Sequence, residues 1–358
     1  MSSRAFRLVA LIVAVAVVIG AVILRGGGSS TGSTTAAQTT SATPAPPANA
    51  VTITVAYSPE KEALVKPALA AFAATHPVVD GAPIVVKGLN VSSGAALDAL
   101  RAGTLKPTIW TPASSLWGRL LTELADVSWV PRDNPKLARS PVVIAMWEDE
   151  ARALGWPAKP LGWADVLAEA RSSKGWAAHG HPEWGSFRLG HTNPDFSTSG
   201  LSAVAAEYYA ATGKTEGLTL DDLARPDVRA QIRAIEGSIV HYGDTTLFFA
   251  DQLAAKGPAF ASAVAMEEST LVDFNVRLRK GGPRLVGIYP KEGTFFSDHP
   301  LISLTAPWVT PAQHAAAAQL IAFLGTAAVQ SRITALGFRP ATPDTPLDGN
   351  LTAANGVD

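Results

Sequence analysis

"PIVVKGLNVSSGAALDALRAGTLKPTIWTPASSLWGRLL", Pro83 to Leu121, is the stretch whose reading decides the fold. "PIVVKGL" is rich in β-branched residues and reads as a strand. "NVSSGAALDALRAG" opens on Ser and Gly and continues as a helix. "TIW" is a second short strand, and "TPASSLWGRLL" again passes from small hydroxyl residues into a helix. Upstream, the alternation from Val51 to Ala56 predicts a strand. "YSPEKEALVKPALAAFAATHP" then predicts a helix with apolar residues at Leu64, Leu69 and Phe72. The resulting order, βαβαβα, is that of a parallel sheet with helices on its faces. No internal repeat at a fixed period is evident.

The bulk numbers agree with such a fold. At 358 residues the chain is long enough for two lobes with cores of their own. Apolar residues make up 47% and charged ones 16%, with a net charge of -1 and dispersed Lys and Arg, which argues against nucleic acid as a partner. The chain has no cysteine, so disulfide scaffolds, zinc-thiolate sites, a Cys nucleophile and a lipid-modified Cys anchor are all excluded.

Arg4 and Arg7 precede an unbroken apolar run from Leu8 to Leu24, closed by Arg25. A bilayer needs about 17 to 25 such residues. The run ends "AVILRGGG" without a convincing A-x-A site, so 1–25 is expected to be an uncleaved anchor, with a cleaved signal peptide as the alternative. The positive N-terminus stays inside, so the rest is expected to be exported to the extracytoplasmic side of the cell membrane. Residues 26–50 are Gly, Ser, Thr, Ala and Pro, a flexible linker. Residues 342–358 return to that composition and are expected to be a flexible tail.

Why should Ser and Thr crowd the helix starts? Strand ends lead into helices at "YSPEKE", "NVSSGA", "TPASS", "TNPDFSTSG" and "HYGDTTLFF". In an open parallel sheet, ligands sit at the carboxyl ends of strands, where helix N-termini offer free N–H groups. Any single hydroxyl there reads as an N-cap. A run such as Ser197-Thr198-Ser199 needs a further reason, since only one residue can cap. The candidate contacts are therefore Ser58, Ser92, Ser93, Thr111, Ser114, Thr192, Ser197, Thr198, Ser199, Asp244 and Thr245. In the central helix, Leu201, Val204, Ala205, Tyr208 and Tyr209 share a helical face that is expected to pack on the sheet.

"DALRAGTLKPTIWTPASSLW", "SPVVIAMW", "GHTNPDFSTSGLSAVAAEYYAATGK", "YPKEGTFFSDHPL" and "AQLIAFLGTAAVQSRITALGFRP" stand in the order expected of one family. Over Val51 to about Ala341 the chain resembles bacterial extracellular solute-binding proteins of the type II periplasmic-binding fold. The nearest group is the molybdate/sulfate-like one, including members joined to a von Willebrand factor A domain. The resemblance implies an α/β fold of two lobes, each a mostly parallel sheet flanked by helices. Two crossing strands, near Ser140 to Met146 and Leu285 to Pro290, would join them.

Lobe I would combine 51–140 with 286–341, and lobe II would be 141–285. The loops at Ser58, Ser92-Ser93 and Thr111 to Ser115 would face those at Thr192 to Gly200 and Gly243 to Thr246. Tyr289, which opens the "YPKEGTF" motif, joins the expected ligand contacts. The resemblance implies a monomeric, non-catalytic protein without cofactor or bound metal. It would capture a small molecule or ion, an oxyanion being one class, for an ABC-type permease or for sensing. A membrane-tethered interaction or assembly ectodomain is the alternative. Asp195 and Asp244 depart from an oxyanion site, because a carboxylate repels a dianion unless it turns away.

Other constellations are weaker. His179, His181 and Glu183 in "HGHPEW" read as a surface loop before a metal site. His191 reads as a buried hydrogen-bond partner before a ligand contact. A hydrolase would need more than the adjacent Ser297, Asp298 and His299, and no G-x-S-x-G, H-E-x-x-H or Walker A motif is present. The nine Trp residues read as packing, with Trp110 and Trp308 as the two that would flank a sugar.

Overall fold

The computed structural model describes residues 47–278, 282–342 and 346–357. The expected anchor at 1–25, and all but the last four residues of the linker, lie outside them. Among the described residues no single helix is long and apolar enough to cross a membrane.

The first lobe follows the quoted stretch. β1 (Val51–Tyr57) leads into α1 (Glu62–Ala74), and β2 (Val78–Val79) turns back into β3 (Ala82–Asn90). Then come α2 (Ser93–Arg101), β4 (Ile109–Thr111) and α3 (Leu116–Ala125). β1 runs parallel to β3, from Val51 opposite Ile84 to Tyr57 opposite Asn90, and parallel to β4 on its other side. One face buries Ile53 and Val55 against Leu64 and Phe72 of α1. The other buries Ala56 and Trp110 against Leu97, Leu100 and Leu121. Leu100 has no exposed surface, so truncating it to Ala should cost about 2–5 kcal/mol.

The second lobe begins with β5 (Ser140–Trp147) and α4 (Glu148–Ala153), then α5 (Trp163–Arg171) and β6 (Leu189–Thr192). α6 (Thr198–Thr212), α7 (Leu220–Ala224) and α8 (Pro226–Glu236) precede β7 (Ile239–Gly243), α9 (Thr246–Lys256), β8 (Ala263–Glu267) and α10 (Glu268–Arg277). β9 (Leu285–Ile288) and β10 (Phe296–Ser297) complete its sheet, of order β10-β5-β8-β6-β7 with β9 beside β5. β6 is parallel to β7 and β8, whereas β5 is antiparallel to β8 and β9. All eight residues of β5 are buried, because one hydrophobic cluster covers each face. A strand covered on both sides reads as a continuous apolar run, which "SPVVIAMW" is. The chain then returns to the first sheet as β11 (Ile302–Ser303), antiparallel to β4, and ends that lobe with α11 (Pro311–Leu324) and α12 (Ala327–Gln330).

Three expectations need correction. Residues 286–297 were assigned to the first lobe, but β9 and β10 both pair with β5 in the second sheet. The tail at 342–358 was expected to be flexible and solvated. Leu351 and Val357 instead join the core around Trp147 and Phe249, and the Gly356 carbonyl accepts the Gly287 N–H at 2.9 Å. Two apolar side chains among polar ones suffice to dock it. Finally, α6 buries Ser199, Ser202, Ala203, Ala206 and Glu207, while Leu201, Val204 and Tyr208 are only half-buried. Its small residues bring it close to the sheet, and Leu201 instead meets the first lobe's core around Trp110 and Trp117.

Candidate functional site

The parallel strands of both sheets turn their carboxyl ends toward one cleft. Ser58, Glu60, Ser92 and Ser93 line it from the first lobe; Ser197, Thr198, Asp244, Thr245, Thr246 and Glu267 line it from the second. Seven of the twelve sequence-derived candidates are therefore brought together.

In the first lobe the hydroxyls are largely committed. Ser92 caps α2 by accepting the Ala95 N–H at 3.4 Å. Ser93 accepts the Ala113 N–H at 3.1 Å, tying the start of α2 to the loop after β4. In the second lobe, Thr245 caps α9 by accepting from Phe248 N–H. Ser197 occupies the cap position of α6 but makes no capping bond. Its hydroxyl lies 3.2 Å from that of Ser199, which lies 2.8 Å from that of Thr192. The hydroxyl run of α6 is thus not a set of caps.

Beneath these hydroxyls lies charge that the sequence reading missed. Lys61 is fully buried, and its ammonium donates to Ser58 Oγ at 2.5 Å, to the Pro112 carbonyl at 3.1 Å and to His299 Nδ1 at 3.3 Å. Ser58 in turn donates to Glu60 Oε1 at 2.5 Å. Across the cleft, Glu267 accepts from Thr246 at 3.3 Å and from Ser297 at 3.4 Å. Burial, and secondarily Glu60, push the Glu267 carboxyl up to about 7. Burial holds the Lys61 ammonium below its ordinary range, against the opposing pull of Glu60 and Glu267. His299 is kept well below its usual value by burial and by Lys61, so its ring is neutral. Glu60 was legible, since it stands in "YSPEKE"; Glu267 could have been found only by first locating the end of β8.

The two lobes touch. The Gly94 N–H donates to the Phe196 carbonyl at 3.0 Å, and the Trp117 indole donates to Thr198 Oγ1 at 2.8 Å. A Cβ on Gly94 would lie 1.9 Å from the Asp195 carbonyl oxygen, so only glycine permits this approach. The cavity left in the cleft has room for about one water. With these contacts made, the two lobes are closed on each other.

The remaining candidates lie outside the lining. Thr111 is buried in the sheet and its hydroxyl has no hydrogen-bond partner. Ser114 accepts from Leu116 N–H in the turn before α3. Thr192 and Ser199 are fully buried behind Ser197. Tyr289 donates to Glu268, which is also held by both arms of Arg339. The carboxylate of Asp195 is not among the groups that line the cleft, although its backbone carbonyl meets Gly94.

The rival constellations come apart in the same way. His179 pairs with Glu169 at 2.9 Å while His181 pairs with Glu183 and stacks on Trp184, so the three do not converge. Ser297, Asp298 and His299 address Glu267, the Ser115 N–H and Lys61 respectively, so they form no triad. Trp110 is buried and Trp308 packs edge-on against Trp129, so neither offers a face to the cleft.

The profile of a family described as bacterial extracellular solute-binding protein matches residues 53–339. No curated protein matches at a significant level. Among solved structures, the chain is similar to the sulfate-binding protein SubI from Mycobacterium tuberculosis H37Rv, at 16% identity and a TM-score of 0.52, over 82% of this chain and 88% of that one. It is similar to the periplasmic binding protein AfuA from Actinobacillus pleuropneumoniae, solved with fructose-6-phosphate, at 12% identity and a TM-score of 0.57, over 84% and 88%. A periplasmic thiamin binding protein gives 14% and 0.57, over 86% and 88%. At such identities the likeness concerns the fold, which is the two-lobed type II periplasmic-binding fold.

Proposed function

The chain belongs to the family of bacterial extracellular solute-binding proteins, and from that premise we propose that it captures a small polar ligand in the cleft between its lobes. The observation that carries this reading is the convergence of helix starts from both sheets on one cleft, with Ser58, Ser92 and Ser93 facing Ser197, Thr198 and Thr245. Ligand entry parts the Gly94–Phe196 and Trp117–Thr198 contacts, and closure remakes them around the ligand.

The ligand class follows from charge. Glu60, Asp244 and Glu267 place three carboxylates in the lining, against one buried ammonium whose hydrogen bonds go to Ser58, Glu60, Pro112 and His299. A dianion such as sulfate or molybdate would meet repulsion there, whereas a neutral or cationic ligand rich in donors would be held. An oxyanion, one class that the resemblance left open, is for this reason not the ligand proposed. The protein is proposed to act outside the cytoplasm as a monomer tethered by its Leu8 to Leu24 run, delivering ligand to an ABC-type permease.

Thermal denaturation of the full chain against a panel of amines, amino acids, sugars and oxyanions tests the reading. A ligand bound to the folded state alone adds about 2.7 kcal/mol at a hundredfold excess over Kd. Stabilisation by a cationic or neutral donor-rich compound, lost in Glu60→Gln, is the expected result. Stabilisation by sulfate or molybdate would overturn the ligand class, and no shift with any class would overturn the function.

A further inference from the structure

A second polar cluster lies within the second lobe, apart from the cleft lining. His191 of β6, Glu207 of α6 and Glu236 at the end of α8 place an imidazole nitrogen and two carboxylate oxygens within 4.8 Å of one another. His191 and Glu207 have no exposed surface. His191 Nδ1 lies 2.6 Å from the Thr192 carbonyl oxygen, which can only accept, so Nδ1 carries the hydrogen. Its Nε2 then faces Glu236 Oε1 at 3.0 Å. In a neutral ring that is a lone pair aimed at a carboxylate, and something positive must lie between them.

Glu207 carries the argument further. It is wholly buried, and neither of its carboxylate oxygens has a hydrogen-bond donor. Among the described residues no Lys or Arg forms an ion pair with Glu207 or Glu236. Tyr242 donates its phenol to the second oxygen of Glu236 at 2.7 Å. A ring nitrogen fixed by a backbone carbonyl, with its other nitrogen turned toward carboxylates, is how proteins orient a metal-ligating histidine.

We propose that His191, Glu207 and Glu236 bind a divalent first-row transition metal of the zinc type. One imidazole and two carboxylates are a donor set that suits such an ion, with a further position for water. The ion would fasten β6, α6 and α8 together, and β6 and α6 are the elements that flank the hydroxyl loop. The site shares no residue with the proposed cleft lining, so either proposal can fail without the other. The competing arrangement holds the same atoms with protons alone: burial, then Glu236, raise Glu207 well above the usual carboxyl range, so a proton shared by the two carboxylates beside an imidazolium also balances the charge.

The full chain, without a polyhistidine tag and stripped by a chelator, is titrated with Co²⁺ and then Zn²⁺. The expected result is one equivalent of cobalt with a visible d–d absorption, displaced by zinc, and a melting temperature raised by either ion. Glu207→Gln keeps the shape of a protonated carboxyl, so the variant without metal should melt near the wild type. It should bind metal more weakly by more than the ~10–100-fold that loss of an outer-shell partner costs. His191→Gln should abolish the cobalt spectrum, whereas His181→Ala with Glu183→Ala should leave it intact. Absence of binding by the wild-type chain at micromolar metal assigns the cluster to a shared proton and overturns the proposal. Binding that survives Glu207→Gln places the metal elsewhere and overturns it too. If Glu207→Gln does not fold, the wild-type stoichiometry and the His191→Gln spectrum decide.

Discussion

Glu267 and Glu207 are both buried carboxylates of the second lobe, but their surroundings differ. Glu267 stands at the end of β8, where the cleft supplies two hydroxyl donors and the field of Lys61. Glu207 stands mid-helix on the inner face of α6, with only a histidine and another carboxylate for company. A strand end collects donors from the loops around it, and a helix face pressed on a sheet does not. The first carboxylate is therefore held by hydroxyl donors even when ionised, and the second has only a proton or an ion to balance it.

The largest expected effect tests the cation in this comparison. Lys61→Met removes the buried ammonium beside the acids of the cleft and should destabilise the chain by about 3–5 kcal/mol in denaturant unfolding. A loss under about 1 kcal/mol would show that Lys61 is not what lets these carboxylates remain buried.

Next in size is the pH dependence of Glu267. Its carboxyl rises from an ordinary 4.5 to about 7 on folding. Between those values the folded state binds more protons than the unfolded one, so stability falls as pH rises through that window and levels off above it. The drop attributable to this group is roughly 3 kcal/mol. Glu267→Gln should flatten the curve by that amount when melting is followed from pH 4 to 9. A residual slope of the same sign should remain, because burial also lifts Glu150 to about 8. An unchanged curve would mean that the cleft solvates Glu267 better than its neighbours imply.

Thr198→Ala strands the buried Trp117 indole and should cost about 1–3 kcal/mol, with Thr198→Ser restoring most of it. The smallest effects separate cap from non-cap. Ser92→Ala should cost about 1 kcal/mol as a true N-cap, while Ser197→Ala should stay within about 0.5 kcal/mol before any ligand is added. Equal losses at the two serines would erase the distinction between the hydroxyl loops of the two lobes.

Much of this architecture is legible in the sequence. The β-branched runs at Val51 and Pro83 and the hydroxyls after each strand carry strong local signals, and the parallel first sheet follows from them. The lobe boundary near residue 290 was not legible, because β9 is four residues long and pairs with a strand far away in sequence, Ile288 lying opposite Ile144. The buried side of α6 was misread because large residues were assumed to face the sheet, when the close approach requires Ser, Ala and Gly. A Cβ on Gly200 would lie 2.0 Å from the Thr192 carbonyl oxygen. Glu207 was hidden by the same error, since a charged residue on a helix is normally assigned to solvent.

The docked C-terminal segment has a mechanical meaning. Asn350 still bonds the backbone at Thr334 and Ala335, on the first lobe, whereas Leu351 and Val357 sit in the second lobe's core. Among the described residues the chain therefore changes lobe three times, before β5, after β10 and around Asn350. A door hung on two adjacent strands can swing and twist; a third strap curbs the swing. Cleavage between residues 346 and 350 would loosen that strap, leaving two lobes freer to part although every residue of the cleft is intact.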